Sequence, residues 1–417
     1  MRQNIWIINH YAGETVFDKG GRHYWFAKYL RKNGYRPVVF CSNVKHNPGT
    51  ENWIDMGSDL WREVNAEEID TPYIFVKGRF YVGNGKSRFM NMLDFYSKVK
   101  DAARQYAGKH GKPDVIFASS VHPFALVAGI QLAKEYGVKC ICEIRDLWPL
   151  SIIEYGIAGK SHPVVLFLRW LEKWTYKKAD RLVFTIEGGY DYIQEQHWEK
   201  IIPRSKLLYI NNGVDLELFN ENRNQFAVDD PDLKNDEIYK VIYTGSIRRV
   251  NNVGKIIDIA KNVRDPRVRF LIWGDGDEYP LIEKRIQDEM IGNVVLKGRV
   301  NKQFVPYITS NADLNFAHND PSPLFRYGLS FNKIFDYLAA GKPVLCDFPS
   351  NYNPVIQGGA GIAVESGDEK DIAEQIDMLA RMDKDALQIY EDGAKKTARA
   401  YDYKVLTEKL MKAIEEN

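Results

Sequence analysis

The sequence predicts an α/β protein made of two doubly wound domains, each built on a parallel β-sheet. Short apolar, β-leaning runs alternate with helical patterns through the first half of the chain, and the alternation restarts after a polar stretch near residues 212–237. Such alternation is typical of parallel strands covered by helices on both faces of the sheet. A chain of 417 residues is long enough for two or three domains with a core each.

We place the domains at 1–212 and 213–395, with residues 396–417 as a C-terminal helix that returns to the first domain. The predicted strands of the first domain are Ile5–Ile8, Pro37–Cys41, Tyr73–Val76, Val115–Ala118, Val138–Ile144, Leu182–Thr185 and Leu207–Ile210. Its predicted helices are one that follows Gly20-Gly21 and ends at Lys32, then Met92–Tyr106, Phe124–Tyr136 and Pro163–Lys178.

The second domain repeats this arrangement. Its predicted strands are Tyr239–Thr244, Arg267–Trp273, Val294–Leu296, Asp313–Phe316 and Pro343–Cys346, and its predicted helices are Gly254–Val263, Tyr279–Glu289, Gln303–Ser310 and Asn332–Ala340. Ligands of doubly wound sheets bind beyond the carboxyl ends of the strands. We therefore expect functional residues in the segments that follow the strands, in a cleft that two such sheets face.

The composition is that of an ordinary globular enzyme. Hydrophobic residues make up 45% and charged residues 27% of the chain, and the net charge of +1 gives no general attraction to nucleic acid. The four cysteines lie in apolar, strand-like runs, which predicts buried, reduced thiols in a reducing compartment. Neither a signal peptide nor an apolar run near the roughly 20 residues that span a bilayer is visible, so we expect a cytoplasmic protein.

The segment Pro321–Val344 has the most informative pattern. Ser330 is a predicted N-cap of an apolar helix, which would leave the amides of Phe331, Asn332 and Lys333 free at the positive end of the helix dipole. Free amides at a helix start bind phosphate. Asp336 lies about 9 Å further along the axis, at about 1.5 Å per residue, where a carboxylate would reach a ribose hydroxyl. This layout would hold a nucleotide-sugar; the alternative is an ordinary capped amphipathic helix.

Three segments of the first domain are candidates for binding or catalysis. Gly20-Gly21 precedes a predicted helix and would let the backbone approach a ligand, although a simple turn is an alternative. Glu143 to Asp146 place charges at the end of a strand, and Arg145 would neutralise phosphate unless it forms a surface ion pair. His122 follows the preceding strand and would contact donor or acceptor, or serve as a structural histidine at a helix start.

In the second domain, basic residues follow the first strand. Gly245 ends that strand, and Arg248, Arg249 and Lys255 come after it, where they would clamp a leaving diphosphate. A solvated basic loop is the alternative. Gly274-Asp275-Gly276-Asp277 follows the next strand, and we interpret it as a tight glycine turn rather than a metal-binding pair of aspartates. The backbone of Gly298-Arg299-Val300, after a further strand, would face a nucleobase.

Together these residues resemble the GT-B fold glycosyltransferases of family 4. The resemblance covers most of the chain and is sharpest at Asn212-Gly213-Val214-Asp215 with Phe219, at Ser330–Pro343 and at the Gly20-Gly21 loop. Arg145–Pro149 and Ser330–Lys333 look like the branch that builds bacterial surface polysaccharides, including the fucosamine-transferase type. The resemblance implies two facing Rossmann-like domains and transfer of a sugar from a nucleotide donor with retention of configuration.

The resemblance also assigns roles to residues. It implies a catalytic set of Arg249, Lys255, Arg145 and His122, and a donor-binding set of Gly20, Gly21, Gly245, Arg248, Arg299, Val300, Tyr327, Gly328, Leu329, Ser330, Phe331, Lys333 and Asp336. Asp336 stands where the family has the second glutamate of its E-x7-E motif.

This chain departs from the family pattern at several positions. Gly328 replaces the first glutamate of that motif, so backbone amides, Tyr327 or Arg326 would take over its contact with the sugar. Ser246 and Asn252 occupy the places of the family's usual basic pair, and Arg145 stands where many relatives have a histidine.

The implied partners are a nucleotide-sugar donor, with a UDP-sugar favoured, and a glycan or polyprenyl-diphosphate-linked acceptor. The nucleotide-sugar is a co-substrate, and neither a metal nor another cofactor is expected, because cationic side chains and a helix dipole would neutralise the diphosphate. A sugar-nucleotide epimerase and a catalytically silent sugar-nucleotide binder are the alternatives. A dinucleotide dehydrogenase is disfavoured because no G-x-G-x-x-G follows the first strand.

Membrane contact is a further expectation. The predicted helix from Pro163 mixes apolar and aromatic residues with Arg169, Lys173, Lys177 and Lys178, so it would lie on the anionic inner face of the plasma membrane. The alternative is packing between domains.

Overall fold

The computed structural model describes residues 3–46, 51–83 and 85–416 and divides the chain into two compact units. The first unit contains Met1–Asn211 and Leu406–Asn417, and the second contains Asn212–Val405. The first boundary lies one residue before the predicted one. The return to the first unit comes at Leu406 instead of 396, because the backbone of Val214 is hydrogen-bonded to Tyr401 and Tyr403 and holds that stretch in the second unit.

The first unit contains an eight-stranded sheet in the described part of the chain, with strand order β3-β4-β2-β1-β5-β6-β7-β8. The strands are β1 Asn4–Ile8, β2 Arg36–Ser42, β3 Trp61–Ala66, β4 Thr71–Val76, β5 Val115–Ser119, β6 Lys139–Ile144, β7 Arg181–Phe184 and β8 Leu207–Tyr209. The helices of this unit are α1 Gly13–Phe17, α2 Arg22–Lys32, α3 Lys86–His110, α4 Pro123–Tyr136, α5 Leu150–Glu154, α6 Pro163–Lys178 and α7 Gly189–Glu195.

All pairings in the first sheet are parallel except that of β3 with β4. The predicted parallel strands are confirmed within one or two residues. β3 was not predicted, because its sequence WREVNA has no apolar run and most of its side chains are exposed or half-buried. An antiparallel edge strand of this kind is common on otherwise parallel sheets.

The second unit contains a six-stranded parallel sheet in its described residues, with strand order β11-β10-β9-β12-β13-β14. The strands are β9 Tyr239–Thr244, β10 Val268–Trp273, β11 Val294–Gly298, β12 Leu314–Ala317, β13 Val344–Cys346 and β14 Gly361–Ala363. The helices are α8 Leu216–Gln225, α9 Gly254–Asn262, α10 Tyr279–Asp288, α11 Val305–Ser310, α12 Asn332–Ala340, α13 Pro354–Gln357, α14 Glu369–Arg381, α15 Lys384–Ala400 and α16 Tyr403–Glu415, which continues into the first unit.

The helices bury an apolar core on each face of the second sheet. One cluster joins β9 and β10 to α9 and α14, with Ile256, Ile272 and Ile376 fully buried. The other joins β13 to α12, with Phe335 and Leu338 fully buried. These two clusters fix the starts of α9 and α12 relative to the carboxyl ends of the strands.

Both sheets reverse their strand order in the middle. The reversal lies between β1 and β5 in the first unit and between β9 and β12 in the second. Doubly wound sheets bind their ligands beyond the strand ends at such a switch point. The segments after these four strands are therefore where the candidate site residues are expected.

Candidate functional site

The start of α12 differs from the sequence prediction. Phe331, not Ser330, is the N-cap of this helix, and its side chain makes no capping hydrogen bond. The hydroxyl of Ser330 is buried without a hydrogen-bond partner among the described residues, while its carbonyl oxygen accepts a hydrogen bond of 2.8 Å from the side chain of Asn212. The amides of Asn332 and Lys333 still lie in the first turn, where a helix offers them no acceptor.

The loop before α12 explains why a glycine stands at position 328. Gly328 ends a 3₁₀ helix, Pro323–Tyr327, with a φ of 114°, a conformation that side-chain-bearing residues rarely adopt. A glutamate would be strained there. Tyr327 and Leu329 on either side are buried, and the guanidinium of Arg326 lies 4.5 Å from the centre of the Tyr327 ring.

The arginine loop, residues 245–252, follows β9. Ser246, Arg248 and Arg249 are exposed, and neither guanidinium has a hydrogen bond or ion pair in the described part of the chain. The loop backbone is fixed nonetheless, because the side chain of Asn251 donates to both the carbonyl and the hydroxyl oxygen of Ser246 at 2.6 Å. The loop thus presents two arginine side chains to solvent at the switch point, from a backbone that hydrogen bonds fix in place.

Glycines in the neighbouring segment allow the arginine loop to pack closely. The backbone amide of Ile247 donates to the carbonyl of Asp275 at 2.9 Å. A Cβ atom at Gly274 would lie 1.8 Å from the carbonyl oxygen of Gly245, and one at Gly276 would lie 2.1 Å from that of Ile247. The hydrogen-bonded turn lies at 276–279, two residues later than predicted, where the amide of Tyr279 donates to the carbonyl of Gly276 at 3.2 Å, and the glycine-containing segment 274–277 supports the arginine loop.

His318 joins the arginine loop to α12. Its Nε2 lies 2.9 Å from the carbonyl oxygen of Asn252, and its own carbonyl accepts a hydrogen bond of 2.7 Å from the ammonium of Lys333. Its Nδ1 is hydrogen-bonded to the carboxylate of Asp347. Burial lowers the pKa of Lys333 to about 8, although Asp347 offsets part of this, and the ammonium lies 4.7 Å from the Tyr243 ring centre.

The ammonium of Lys255 donates a hydrogen bond of 2.6 Å to the carbonyl of Gly367. Lys255 lines a cavity of about 450 Å³ together with Asn252 of the arginine loop and with residues of α9 and α10, among them the paired Asp258 and Arg285.

Asp336 lies one turn into α12 and is half-buried. Burial raises the pKa of its carboxyl group to about 7, and Lys302 opposes this only in part. After β11, Arg299 is exposed and Val300 is half-buried, whereas the carbonyl of Gly298 is already used by the amide of Gly274 at 2.9 Å. The base contact expected from this segment would therefore fall to Arg299 and Val300.

In the first unit, Gly21 is the N-cap of α2 with a φ of 100°. The next residue, Arg22, is buried and donates from Nε to Glu143 at 2.7 Å and from Nη2 to the carbonyl of Ile210 at 2.7 Å. Ser119 donates to the other oxygen of Glu143 at 2.6 Å. Burial would raise the pKa of Glu143, but the charge of Arg22 and the bonded His23 hold it well below its usual range.

These contacts correct the expectation that the charges at the end of β6 all face a ligand. Glu143 is fully buried and anchors the start of α2 below the Gly20-Gly21 loop. Arg145 is half-buried and forms no close ion pair with Asp146 among the described residues. Its charge still acts on Asp146, because it partly offsets the rise in the pKa of that carboxyl group that burial causes.

His122 is fully buried, unlike a histidine that touches a substrate directly. Its Nε2 lies 2.7 Å from Nδ1 of His10, and the second nitrogen of each ring has no partner among the described residues. Burial lowers the pKa of His122 to about 3 and lowers that of His10 as well. His10 lies between the rings of Tyr11 and Phe95, with ring centres 4.4 and 4.3 Å away.

The sequence analysis did not single out His10, His318 or Asp347. His10 and His122 are 112 positions apart, and His318 and Asp347 are 29 apart. Each of these residues directly or closely follows a predicted strand, so a search for polar residues after strands would have found them.

Three other predictions concern cysteines, metals and membranes. All four cysteines are buried and free, as predicted. Residues 3–46, 51–83 and 85–416 contain no group of three or more His, Cys, Asp or Glu side chains that could hold a metal ion. Within the same residues, no helix has the length and apolarity needed to cross a bilayer.

Two curated relatives are similar over long stretches. The Probable glycosyltransferase WbjE of Pseudomonas aeruginosa is 22% identical over 392 residues, which cover 92% of this chain and 91% of WbjE. The Putative teichuronic acid biosynthesis glycosyltransferase TuaH of Bacillus subtilis (strain 168) is 25% identical over 281 residues, 66% of each chain.

Solved structures share the fold. Anabaena Alr3699/HepE in complex with UDP superposes with a TM-score of 0.64 at 12% identity, over 100% of both chains. Residues 24–218 match Glycosyltransferase Family 4, and residues 238–382 match Glycosyl transferases group 1. With its two parallel-sheet units, the chain is a GT-B glycosyltransferase that belongs to family 4.

Proposed function

We propose that the protein transfers a sugar from a nucleotide-diphosphate donor, a UDP-sugar in our preferred version, to a hydroxyl group of a glycan or lipid-linked acceptor, with retention of configuration. The observation that supports this best is His318, which contacts both the arginine loop and Lys333 at the start of α12. His318 therefore links the backbone of the loop that bears two exposed arginines to the first turn of α12, and both guanidiniums and helix N-termini favour a diphosphate. A solved GT-B neighbour was crystallised with UDP.

In the proposed mechanism, negative charge grows on the diphosphate as the glycosidic bond breaks. Arg248, Arg249 and the free amides of α12 would stabilise this charge, and a phosphate oxygen would take the proton of the acceptor hydroxyl. Asp336 would hold the ribose. Because these groups supply the neutralising charge, the proposal includes neither a metal nor another cofactor, and transfer should persist in EDTA.

Binding of UDP, GDP and ADP, measured by calorimetry, tests the donor site. Arg249→Ala and Arg248→Ala should each weaken UDP binding roughly tenfold, the usual effect of losing one hydrogen bond to a charged group. Arg399→Ala, at an exposed arginine near the end of α15, is the matched control and should leave binding unchanged. Equal affinity in all variants would remove the arginine loop from the donor site.

A donor assay with and without acceptor tests the reaction itself. Transfer consumes donor in proportion to the acceptor added, and NMR of the product shows whether the anomeric configuration is retained. An isomerised donor formed without acceptor would point to an epimerase, and an unchanged donor in every mixture would point to a silent binding protein.

We also propose that the reaction belongs to surface-polysaccharide synthesis at the cytoplasmic face of the plasma membrane. One similar protein is described as acting in teichuronic acid biosynthesis. On α6, Val164, Leu166, Phe167 and Trp170 are exposed, and Lys173 and Lys177 continue the same face. An exposed apolar face flanked by lysines fits an anionic bilayer, to which each basic residue near the surface adds about 1 kcal/mol.

Flotation with vesicles tests this contact. Vesicles with anionic lipid should bind the protein more than neutral vesicles do, and Trp170→Glu should reduce that binding. Leu281→Glu, at an equally exposed leucine on α10, is the control and should have no effect. Equal flotation of wild type and Trp170→Glu would exclude α6 as the docking helix.

A further inference from the structure

A buried His–Asp pair lies behind the arginine loop and has no part in the proposed mechanism. His318 follows β12, Asp347 follows β13, and both are fully buried. We propose that His318, held by Asp347, is a positioning residue that fixes the arginine loop through the carbonyl group of Asn252. This inference rests on the proposed function, because it deepens the role of that loop in binding the donor diphosphate.

The hydrogen bonds of His318 determine where its protons are. The carbonyl oxygen of Asn252 can only accept, so Nε2, at 2.9 Å, must have a proton. The hydrogen bond between Nδ1 and the Asp347 carboxylate contains a second proton. The pair is therefore an imidazolium and a carboxylate, or its tautomer with a neutral acid, and the charge-assisted form makes the stronger hydrogen bonds. The remaining oxygen of Asp347 accepts from the amide of Asn319 at 3.3 Å.

Asn252 is the point at which His318 acts on the loop. It adopts a left-handed conformation with a φ of 44° and ends the 3₁₀ turn Arg249–Asn251. Its side chain donates to Asp320 at 2.7 Å, and its carbonyl also accepts the amide of Lys255 at 3.0 Å. His318 therefore stabilises an uncommon backbone conformation directly after the exposed arginines.

Fixing this turn matters for ligand binding because free arginine side chains on a mobile loop would lose more entropy when a diphosphate orders them. A fixed loop presents its charges before the ligand arrives, which is the arrangement that stabilises developing charge most effectively. A buried ion pair by itself is weak evidence for stability, since apolar residues often replace one without loss. The placement of this pair at the switch point favours a role in positioning.

Hydrogen exchange and UDP binding together test the inference. His318→Phe removes the hydrogen bond to Asn252 and should speed amide exchange in residues 249–255 of the unliganded protein roughly tenfold, with a similar loss of UDP affinity. Asp347→Ala should act in the same direction. Asp347→Asn should keep both properties within about threefold, because its amide can donate to Nδ1 and leave Nε2–H for Asn252.

A matched control separates positioning from general stability. Asp377 is another buried carboxylate of the second unit. It accepts hydrogen bonds from the amides of Arg264 and Asp265 at 3.0 and 2.9 Å, just before β10, at the amino end of that strand and not at its carboxyl end. Asp377→Ala should lower the melting temperature without changing exchange in 249–255 or UDP affinity. A merely structural role for His318 would give the two variants the same profile.

The outcomes distinguish this inference from the proposed function. Unchanged exchange in 249–255 and unchanged UDP affinity in both His318→Phe and Asp347→Ala would overturn the positioning role, while the arginine variants would still test the donor site. If instead the arginine variants bind UDP normally, the donor site is wrong, and faster exchange in His318→Phe would show only that the loop is held. If His318→Phe does not fold, the comparison of Asp347→Ala with Asp347→Asn tests the positioning role instead.

Discussion

At the scale of single residues, burial shifts the pKa values of three ionisable side chains to about 7 or 8. Burial raises the pKa of Asp336 to about 7 and that of Glu172 to about 8, and it lowers the pKa of Lys333 to about 8. Asp336 and Lys333 lie on α12, whereas Glu172 lies on α6. The protonation of these groups therefore changes with pH near neutrality, with consequences for the proposed donor site and for stability.

Asp336 should give donor binding a pH dependence. A carboxylate accepts a ribose hydroxyl more strongly than a neutral acid does, so affinity for UDP-glucose should rise severalfold between pH 6 and pH 8, as the carboxyl group ionises. UDP-glucose is the suitable probe because its diphosphate diester does not titrate in this range. Calorimetry at a series of pH values measures the effect.

The control for this pH dependence is Asp336→Asn, which keeps the shape of the side chain but does not titrate. Its affinity should not rise between pH 6 and pH 8. A wild-type affinity that is equally flat would remove the Asp336 carboxylate from the ribose contact.

Glu172 should make the first unit less stable as the pH rises. Its carboxyl group is buried, accepts the hydroxyls of Tyr176 at 2.9 Å and Tyr192 at 2.7 Å, and has a pKa raised from 4.5 to about 8. Between these two values the native state binds the proton more tightly than the unfolded chain does, so the free energy of unfolding falls as the pH rises through that window. Glu172→Gln should remove this fall, as measured by urea denaturation at pH 5 and pH 8.

The control is an exposed glutamate whose pKa is shifted in the opposite direction. The hydrogen bond from Arg104 lowers the pKa of Glu135 on α4, so Glu135→Gln cannot relieve any loss of stability at high pH. If Glu172→Gln and wild type lose stability in parallel from pH 5 to pH 8, the proton on Glu172 is not the cause.

At the scale of elements, close backbone packing between two loops shapes the proposed donor site. The arginine loop lies against residues 274–277 because two glycines leave room for its carbonyl groups. Packing between the two loops explains the spacing of Gly274 and Gly276, and neither a nucleotide nor a metal needs to contact these glycines. The glycines of residues 274–277 thus control the position of the arginine side chains in the arginine loop.

Gly276→Ala should displace the arginine loop. Its Cβ would lie 2.1 Å from the carbonyl oxygen of Ile247, so one of the two loops must shift. We expect a loss of stability of about 1 to 3 kcal/mol from this overpacking and weaker UDP binding, measured by urea denaturation and calorimetry. Gly292→Ala, where a Cβ would meet nothing within 4 Å, is the control and should change neither property. Normal UDP binding by Gly276→Ala would show that this contact does not position the arginines.

The same elements show what the sequence can predict. Strands such as Tyr239–Thr244 and helices such as Pro163–Lys178 were predicted correctly, because apolar periodicity and Gly or Pro boundaries are local properties. The edge strand Trp61–Ala66 lacked that periodicity. The Ser330 cap was wrong because tertiary contacts hold that segment, with Asn212 bonded to the Ser330 carbonyl. Contacts such as His318 with Asp347 depend on how separate strands align, and no local pattern encodes that.

At the scale of the whole molecule, the first unit is completed by a segment from the far end of the chain, whereas the second unit is one continuous stretch. The last helix, α16, begins in the second unit and ends in the first. In the first unit, Leu406, Leu410, Ala413 and Ile414 are buried. The ammonium of Lys139 on β6 donates to the carbonyl of Ile414 at 2.9 Å. The first sheet therefore depends on residues about two hundred positions away from its last strand, β8.

Leu410→Ala tests this dependence. Loss of a fully buried leucine should destabilise the first unit by about 2 to 5 kcal/mol, because it removes apolar contacts and leaves a cavity. Hydrogen exchange should show reduced protection in β1, β5 and β6 but not in β9 and β10, since Leu410 belongs to the first unit. Leu281→Ala, at an exposed leucine, should leave protection unchanged in both sheets. If Leu410→Ala lowered protection in β9 and β10 as much as in β1, the two units would unfold together, and the last helix would stabilise the molecule as one cooperative whole.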